Sequence, residues 1–203
     1  MSISDLAKAS DKSLIQAARK GDQKAFAALV RRYEDTVFKF SFKVCRERAK
    51  AEETLQDTFI NVFRKLDTFD GKSKFSTWLY TIVSNNCLMK RRRRKRDDLE
   101  ESLETFDNPP DGGPQSRQQP APWEKTPDEV LLDKELQTLL DRAILKLPVD
   151  YRLVFVLRDV EGRSTQETAS ILKISEEATK SRLRRARAFL RDQLHPYMAA
   201  QGA

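Results

Sequence analysis

Residues 69–96, FDGKSKFSTWLYTIVSNNCLMKRRRRKR, combine aromatic, polar and cationic side chains in an order that suits nucleic-acid binding. Trp78 and Tyr80 follow the polar, basic loop 72–74, and seven consecutive cations occupy positions 90–96. Bases of single-stranded DNA stack on aromatic faces, while their phosphates follow rows of cations. The two aromatic side chains taken alone favour packing in or beside a core. Their combination with the basic loop and the cationic run favours DNA binding.

A turn and a helix position this stretch. Gly71 can adopt the positive φ that a β-carbon disfavours, which predicts a turn at 69–71. A helix from Phe75 to Arg93 is predicted to follow, with Ser76 or Thr77 as its N-cap. Its buried face is read from residues at helical spacing, namely Phe75, Leu79, Ile82, Val83 and Asn86.

The 203-residue chain has a formal net charge of +7, and this charge is distributed unevenly. Residues 12–96 hold 22 basic and 9 acidic side chains, whereas residues 97–133 hold 2 basic and 11 acidic ones. Residues 134–203 are basic again, with 13 basic and 9 acidic side chains. Two basic blocks joined by an acidic tether indicate binding of a polyanion at both ends.

The first basic block is predicted to be a bundle of three or four helices. One short helix, capped by Ser10 or Asp11, runs from Lys12 to Lys20. A second carries an apolar stripe from Phe26 to Val44. A third runs from Ala51 to Leu66, and its buried face is predicted to hold Leu55, Phe59, Val62, Phe63 and Leu66.

The opposite face of the third helix is acidic and rich in amides, which stands out in a basic block. Its members are Glu52, Glu53, Gln56, Asp57 and Asn61. Charge alone leaves two explanations open. The face either balances nearby cations or docks on a protein partner.

Residues 97–127 are predicted to be a flexible linker. Their acidic side chains repel one another, and the segment NPPDGGPQSRQQPAP is rich in Pro, Gly and Gln with almost no apolar content. Such a segment cannot bury enough apolar surface to form a core. The chain is therefore expected to be all-α, with two small helical domains at 12–96 and 128–195.

The second domain is predicted to contain a helix-turn-helix. An apolar stripe from Leu131 to Leu147 ends at Pro148, and a second helix runs from Tyr151 to Arg158. Ser164 and Glu167 then have the spacing of a capping box. The turn 173–175 separates this helix from the last one, whose cap is Ser175, and small Ala169 allows the two helices to approach closely.

The last helix is amphipathic, with cations on its outer face. Leu183, Ala186 and Leu190 are predicted to face inward, whereas Lys180, Ser181, Arg184, Arg185 and Arg187 lie on or beside the opposite side. Arginines along one helix face suit the major groove, where a guanidinium bridges guanine O6 and N7. A basic surface helix with no partner is the alternative explanation.

Five segments resemble a known family, the extracytoplasmic-function (ECF) sigma factors, which are small sigma-E-like bacterial transcription initiation factors. They are GDQKAFAALVRRY (21–33), AEETLQDTFINVFRKLDTFDG (51–71), FSTWLYTIVSN (75–85), LPVDYRLVFVLRDVEGRSTQETASIL (147–172) and KSRLRRARAFL (180–190). They cover most of the chain outside the linker, in the family's order. Each segment alone is a modest match, but the five segments in this order are specific to the family.

The resemblance implies a role for each domain. The first would dock on the β′ clamp helices of RNA polymerase and melt the −10 element, and the second would read the −35 element. Polymerase contacts are then expected at Glu53, Gln56, Asp57 and Asn61. Contacts to −10 DNA are expected at Lys72, Ser73, Lys74, Trp78, Tyr80, Asn85, Arg91 and Arg92. Contacts to −35 DNA are expected at Lys180, Ser181, Arg184, Arg185 and Arg187.

The implied partners are core RNA polymerase (β′ clamp helices and β flap), promoter DNA and an anti-sigma factor. Three departures from the family pattern are present. Met89 stands where the family usually has an aspartate, and Thr54 replaces an aliphatic residue. The tripeptide 177–179, Glu-Ala-Thr, replaces the common Gly-Thr-Val and leaves the −35 sequence preference open.

Two rival classes explain less of the sequence. An operator-binding helix-turn-helix regulator accounts for residues 147–190 but for neither the first domain nor the linker. An enzyme is not favoured, because His195 is the only histidine, no acid cluster has two-metal spacing, and neither cysteine has a paired base. No cofactor or metal site is predicted.

A cytoplasmic location is expected. No run approaches the roughly 18 apolar residues of a membrane span, no signal peptide is recognised, and no membrane insertion is predicted. The two cysteines, Cys45 and Cys87, fall within helical patterns and far from any CxxC motif. Both are predicted to be reduced and buried.

Overall fold

A computed structural model describes residues 9–97 and 127–201, and all regular elements in this part of the chain are helical. The first unit contains α1 (Asp11–Arg19), α2 (Gln23–Cys45), α3 (Arg48–Lys65) with the 3-10 turn Leu66–Thr68, and α4 (Phe75–Asp97). The second contains α5 (Pro127–Lys146), α6 (Val149–Phe155) continued by the π-helical turn Val156–Val160, α7 (Thr165–Leu172) and α8 (Glu176–Gln201). The all-α prediction is confirmed. The predicted linker, apart from its two ends, lies outside the described residues.

Side-chain caps fix where the first helices begin. The Ser10 hydroxyl accepts a hydrogen bond from the Ser13 amide at 3.2 Å, which confirms one of the two predicted caps. Asp22 accepts from the amides of Lys24 and Ala25 and so starts α2. These bonds satisfy amides that have no partner within the helix.

The predicted buried face of α3 is wrong at one position. Phe63 is 65% exposed, and its ring meets that of Phe26 edge-on, with ring centroids 5.1 Å apart. Thr54 and Thr58 are fully buried instead. Each hydroxyl donates to the carbonyl four residues earlier, at 2.7 and 2.6 Å. A threonine can therefore replace an aliphatic residue here, because its polar atom is satisfied within the helix.

The predicted N-cap of α4 is also wrong. The helix already begins at Phe75, and the Lys74 carbonyl accepts from the amides of Thr77 and Trp78 at 3.0 and 3.2 Å. Ser76 and Thr77 therefore lie inside the first turn, where a hydroxyl cannot cap. The predicted inner face is confirmed, since Phe75, Leu79, Ile82, Val83 and Asn86 are all at most 7% exposed.

The predicted helix-turn-helix is confirmed. Ser164 and Glu167 form both hydrogen bonds of a capping box, at 3.0 and 2.8 Å. Lys173 ends α7 in the left-handed region with φ 54°, and Ser175 accepts from the Ala178 amide at the start of α8. The last helix is longer than the predicted stripe, because it continues through Pro196 to Gln201.

The two helical units share one apolar core. Residues of α2 and α4 such as Phe40 and Val83 belong to the same buried cluster as Leu153, Leu157 and Ile171 of the second unit. A smaller cluster joins α5 to α8 through Ile144, Leu147, Ala186 and Leu190. The two helical units therefore pack directly against each other, which the sequence left open. Within the described residues, no helix is long and apolar enough to span a membrane.

Neither cysteine is in a disulfide, and Cys87 is buried as predicted. Cys45, at the end of α2, is only partly buried, which corrects the expectation that both are buried.

Candidate nucleic-acid interface

The loop between α3 and α4 is an exposed, ordered turn. Asp70 Oδ1 accepts from the Lys72 amide at 3.0 Å, and Gly71 has φ +73°, as the sequence predicts. The Lys72 amide holds the pKa of the Asp70 carboxyl below its ordinary value. Lys72, Ser73 and Lys74 are all exposed. The loop thus presents two ammonium groups and a hydroxyl to solvent.

Arg19 anchors this loop, and no sequence signal assigned it that role. Its guanidinium donates twice to the Leu66 carbonyl, at 3.0 and 2.8 Å, and also to the Asp67 and Phe69 carbonyls. These carbonyls follow the end of α3, where the helix leaves acceptors without partners. One side chain from α1 therefore holds the segment that enters the loop.

Trp78 lies beside the loop in an aromatic cluster. Its ring is partly buried, with centroids 5.3 Å from Phe69 and 5.6 Å from Phe75. Phe69 and Phe75 are themselves buried, and Phe75 meets Tyr33 at 5.2 Å. The ring of Trp78 is thus supported by the core from one side and remains partly accessible.

Tyr80 is buried, with 4% of its surface exposed. Its ring therefore offers no open face on which a base could stack in this structure. The ring packs edge-on against Phe40 at 5.0 Å, and the Arg163 guanidinium lies 4.7 Å from its centroid. Its hydroxyl donates to Glu161 Oε2 at 2.7 Å. Burial and this hydrogen bond raise the pKa of Tyr80 to about 12.

Glu161 is the polar centre of the contact between the two units. Besides accepting from Tyr80, its carboxylate accepts from the Lys43 ammonium at 2.8 Å, and its side chain is only 16% exposed. We call Glu161, Lys43 and Tyr80 the Glu161 bridge. A carboxylate this buried is costly unless its oxygens are paired, and here both oxygens have partners from the first unit.

The acidic face of α3 is partly organised by a cation from α4. Lys90 Nζ lies 3.2 Å from Glu53 Oε2 and 3.1 Å from Asp57 Oδ2. Glu53 and Gln56 are exposed, while Asp57 is partly so. Asn61 donates to Asn86 at 2.9 Å, which ties the end of this face to α4. The face therefore balances a cation and is also accessible, and docking on a protein partner stays a prediction.

Three of the other predicted −10 residues lie on α4. Asn85 is partly buried on that helix. Arg91 and Arg92 lie in its last two turns, and their side chains are outside the described residues.

The five predicted −35 residues of α8 divide into two groups. Lys180, Arg184 and Arg187 are exposed along one stripe, whereas Ser181 and Arg185 flank it and are partly buried. Arg187 makes a two-bond ion pair with Asp159, at 2.8 and 2.6 Å, and this carboxylate raises the pKa of the guanidinium. Arg185 donates to the Tyr151 hydroxyl at 3.4 Å.

Comparison with known proteins assigns one family region to each helical unit. The chain matches the family Sigma-70 region 2 over residues 29–97 and Sigma-70 region 4 over residues 137–190. It is 34% identical to the ECF RNA polymerase sigma factor SigW of Bacillus subtilis (strain 168), over 90% of this chain and 96% of that protein. It is 32% identical to the ECF RNA polymerase sigma-E factor of Escherichia coli (strain K12), over 92% and 95%.

A solved structure is also similar. The CnrH protein, in complex with the cytosolic domain of CnrY, superposes with a TM-score of 0.59 at 26% identity, over 92% of this chain and 97% of that one. The matched regions, in this order on a chain whose described elements are all helical, define a Sigma-70-type transcription factor. At 34% identity over nearly the whole of a curated relative, the chain belongs to the ECF sigma factor family.

The Arg19 anchor predicts a measurable effect on the loop. Arg19→Ala removes hydrogen bonds from a charged donor to three carbonyls, so we expect a loss of about 1 kcal/mol in the free energy of unfolding. We also expect faster amide hydrogen exchange in residues 69–74. Lys20→Ala, a neighbouring exposed cation, is the matched control. Exchange rates equal to those of the control would show that Arg19 does not hold the loop.

Proposed function

We propose that this ECF sigma factor binds core RNA polymerase and directs promoter-specific initiation by melting the −10 element and reading the −35 element. The observation that carries the proposal is that one chain joins a region 2 unit, with an accessible acidic helix face, to a region 4 helix-turn-helix. Residues 12–96 would serve as the first domain, 97–127 as the linker and 128–195 as the second.

The acidic face of α3 would dock on the β′ clamp helices. Glu53, Gln56 and Asp57 have i, i+3, i+4 spacing and so lie on one face, and Asn61 extends it by a turn. A partner cation must compete with Lys90 for both carboxylates. Binding then exchanges one set of ion pairs for another, which favours specificity over raw affinity.

The loop 70–74 would receive an unpaired base of the −10 element. The side chains of Lys72, Ser73 and Lys74 are exposed, and the partly open ring of Trp78 lies next to the loop. The cationic end of α4, with Arg91 and Arg92, continues along the same helix toward duplex DNA. Stacking and phosphate contacts together can hold a melted strand without strict sequence readout.

The exposed stripe of α8 would enter the −35 major groove. Lys180 and Arg184, which are exposed, would meet base edges, with the partly buried Ser181 and Arg185 at the flank. Arg187 is already bound to Asp159, so its expected role is at a phosphate or through exchange of partners. The second unit would also meet the β flap of the polymerase.

Promoter binding would require the two units to separate. The second unit covers Tyr80 and the start of α4. The pKa of the Glu167 carboxyl on α7 is lowered chiefly by the hydrogen bond from the Ser164 amide, and nearby Lys74 lowers it further. We call the arrangement in which the two units pack against each other the closed arrangement. Breaking the Glu161 bridge would release Tyr80 for the −10 role that the family resemblance implies.

An anti-sigma factor is a further proposed partner. The similar CnrH structure was solved with the cytosolic domain of CnrY. Such a partner would act on this chain by stabilising the packing of its two units. We further propose that the chain works in the cytoplasm as an initiation factor and performs no catalysis of its own. The operator-binding alternative gains no support from the region 2 match.

The polymerase contact is tested by charge reversal on α3. Asp57→Lys should weaken binding to core polymerase at least ten-fold and abolish promoter-specific transcription by the reconstituted enzyme. The change leaves the core intact, because this side chain is 45% exposed. Glu34→Lys is the matched control, since Glu34 is an exposed acid on α2 and lies outside the acidic face of α3.

Affinity for core polymerase can be measured by fluorescence anisotropy of a labelled chain. Equal losses in the two variants would mean that only total charge matters. If the isolated chain bound promoter DNA specifically but did not change transcription by core polymerase, the result would favour the operator-binding alternative.

The division of labour between the domains is tested with two templates. Changing Lys72 and Ser73 together to alanine should reduce open-complex formation on duplex promoter DNA. A template with a pre-melted bubble over the −10 element should restore much of that activity, because the opening step is removed. Arg184→Ala should lose about ten-fold in promoter affinity on both templates, since a guanidinium at a base edge contributes about 1–3 kcal/mol.

Permanganate reactivity of unpaired thymines measures opening directly. Rescue of Arg184→Ala by the bubble, with no rescue of the loop variant, would mean that the two domains have been assigned to the wrong promoter elements.

A further inference from the structure

The helix α1 precedes the residues that match Sigma-70 region 2, which begin at residue 29. Its middle packs into the shared core through Leu14 and Ile15, which are 1% and 4% exposed. Its first and last residues, Asp11 and Arg19, both bond to other elements of the first unit. This helix is therefore fixed along its whole length, although the family match assigns it no role.

Asp11 is bound by two neighbouring side chains of α2. The Arg32 guanidinium donates to its Oδ1 at 2.7 Å, and the Tyr33 hydroxyl donates to its Oδ2. Arg32 also donates to the Ala9 carbonyl at 2.7 Å, just before α1 begins. Burial and the hydrogen bond to Asp11 raise the pKa of Tyr33 above its ordinary value, so the phenol remains a donor at neutral pH. A charged acceptor makes a strong hydrogen bond, and this bond holds the Tyr33 ring in place.

The Tyr33 ring reaches the residue that follows the loop 70–74. It meets Phe75, the first residue of α4, with ring centroids 5.2 Å apart and an angle of 62° between the rings. The Phe75 ring in turn lies 5.6 Å from the rings of Phe69 and Trp78, measured between centroids. Rings packed in this way restrain one another, because edge-to-face contacts have a preferred geometry. Asp11 is thus connected to Trp78 through two aromatic rings.

The other end of α1 holds the entry to the loop. Arg19 donates to the carbonyl of Phe69, which immediately precedes residues 70–74. All five residues of the loop are exposed, so the loop has no buried side chain of its own to fix it. Its position therefore depends on the two flanking residues, Phe69 and Phe75. One end of α1 acts on the first of these and the opposite end acts on the second.

We propose that α1 is a positioning element for DNA opening, with Asp11 and Arg19 as its positioning residues and an unpaired base as the ligand of the surface that they hold. This inference rests on the proposed function of the loop and Trp78, and it adds the helix that fixes their geometry. Capture of a base requires the loop and the ring to lie at a set distance from each other. Asp11 would act through Tyr33 rather than touch the DNA.

The effect on Trp78 can be measured on the full chain without polymerase. Trp123→Phe leaves Trp78 as the only tryptophan, so acrylamide quenching reports the accessibility of its ring. Tyr33→Phe removes only the hydroxyl bonded to Asp11, and it should raise the quenching constant about two-fold, as should Asp11→Ala. Asp35→Ala is the matched control, because it breaks an ion pair of 2.7 Å within α2. Quenching equal to that of the control in both variants would overturn the proposal.

Promoter opening by the reconstituted polymerase tests the positioning role itself. Asp11→Ala and Tyr33→Phe should slow the opening step about five-fold, followed by permanganate reactivity of thymines, while affinity for core polymerase stays unchanged. A purely structural role would instead lower the amount of active protein and leave the opening rate of each active complex as it is. That result would overturn the proposal.

The loop variant separates this inference from the proposed function. Natural opening by the chain with Lys72 and Ser73 both changed to alanine would overturn the proposed role of the loop, and this inference with it. A defective loop variant, beside natural opening by both Asp11→Ala and Tyr33→Phe, would overturn this inference alone.

Discussion

The carboxylate of Glu161 is the interaction on which the arrangement of the two helical units depends. One oxygen accepts from Lys43 and the other from the Tyr80 hydroxyl, while Arg163 covers the Tyr80 ring. Three polar side chains of the junction are thereby satisfied together, and the apolar surfaces of both units close around them. Removing one partner would leave a buried charge or hydroxyl unpaired, which costs more than the contact itself contributes.

Under the proposed function, this contact would place two tasks of the chain in competition. The second unit contacts Tyr80, which lies in the segment proposed to meet melted DNA, so packing of the units would keep this side chain from the −10 element while the loop 72–74 stays exposed. The acidic face of α3 remains accessible in the closed arrangement. In this proposal polymerase would bind first, and promoter contacts would follow once the units separate.

Local signals made most of the fold predictable, because caps and apolar spacing act within one helix. The capping box at Ser164 and the inner face of α8 are examples. Phe63 was mispredicted because it lies at the edge of the apolar stripe, where neighbouring helices decide exposure. Arg19 contacts Phe69, which lies 50 positions further along the chain. Tyr80 contacts Glu161 of the second unit, 81 positions away. Periodicity carries no information about such contacts.

The most direct test of this account is the distance between the two units during initiation. Dyes attached at Gln16→Cys and Asp192→Cys, in a Cys45→Ser, Cys87→Ser background, report that distance by energy transfer; both labelled positions are exposed. We expect high transfer in the free chain, lower transfer in the free Glu161→Ala chain, and a marked fall for the otherwise natural chain when core polymerase and promoter DNA are added. Unchanged transfer in a complex that transcribes from the promoter would contradict the account, because the units would then act without separating.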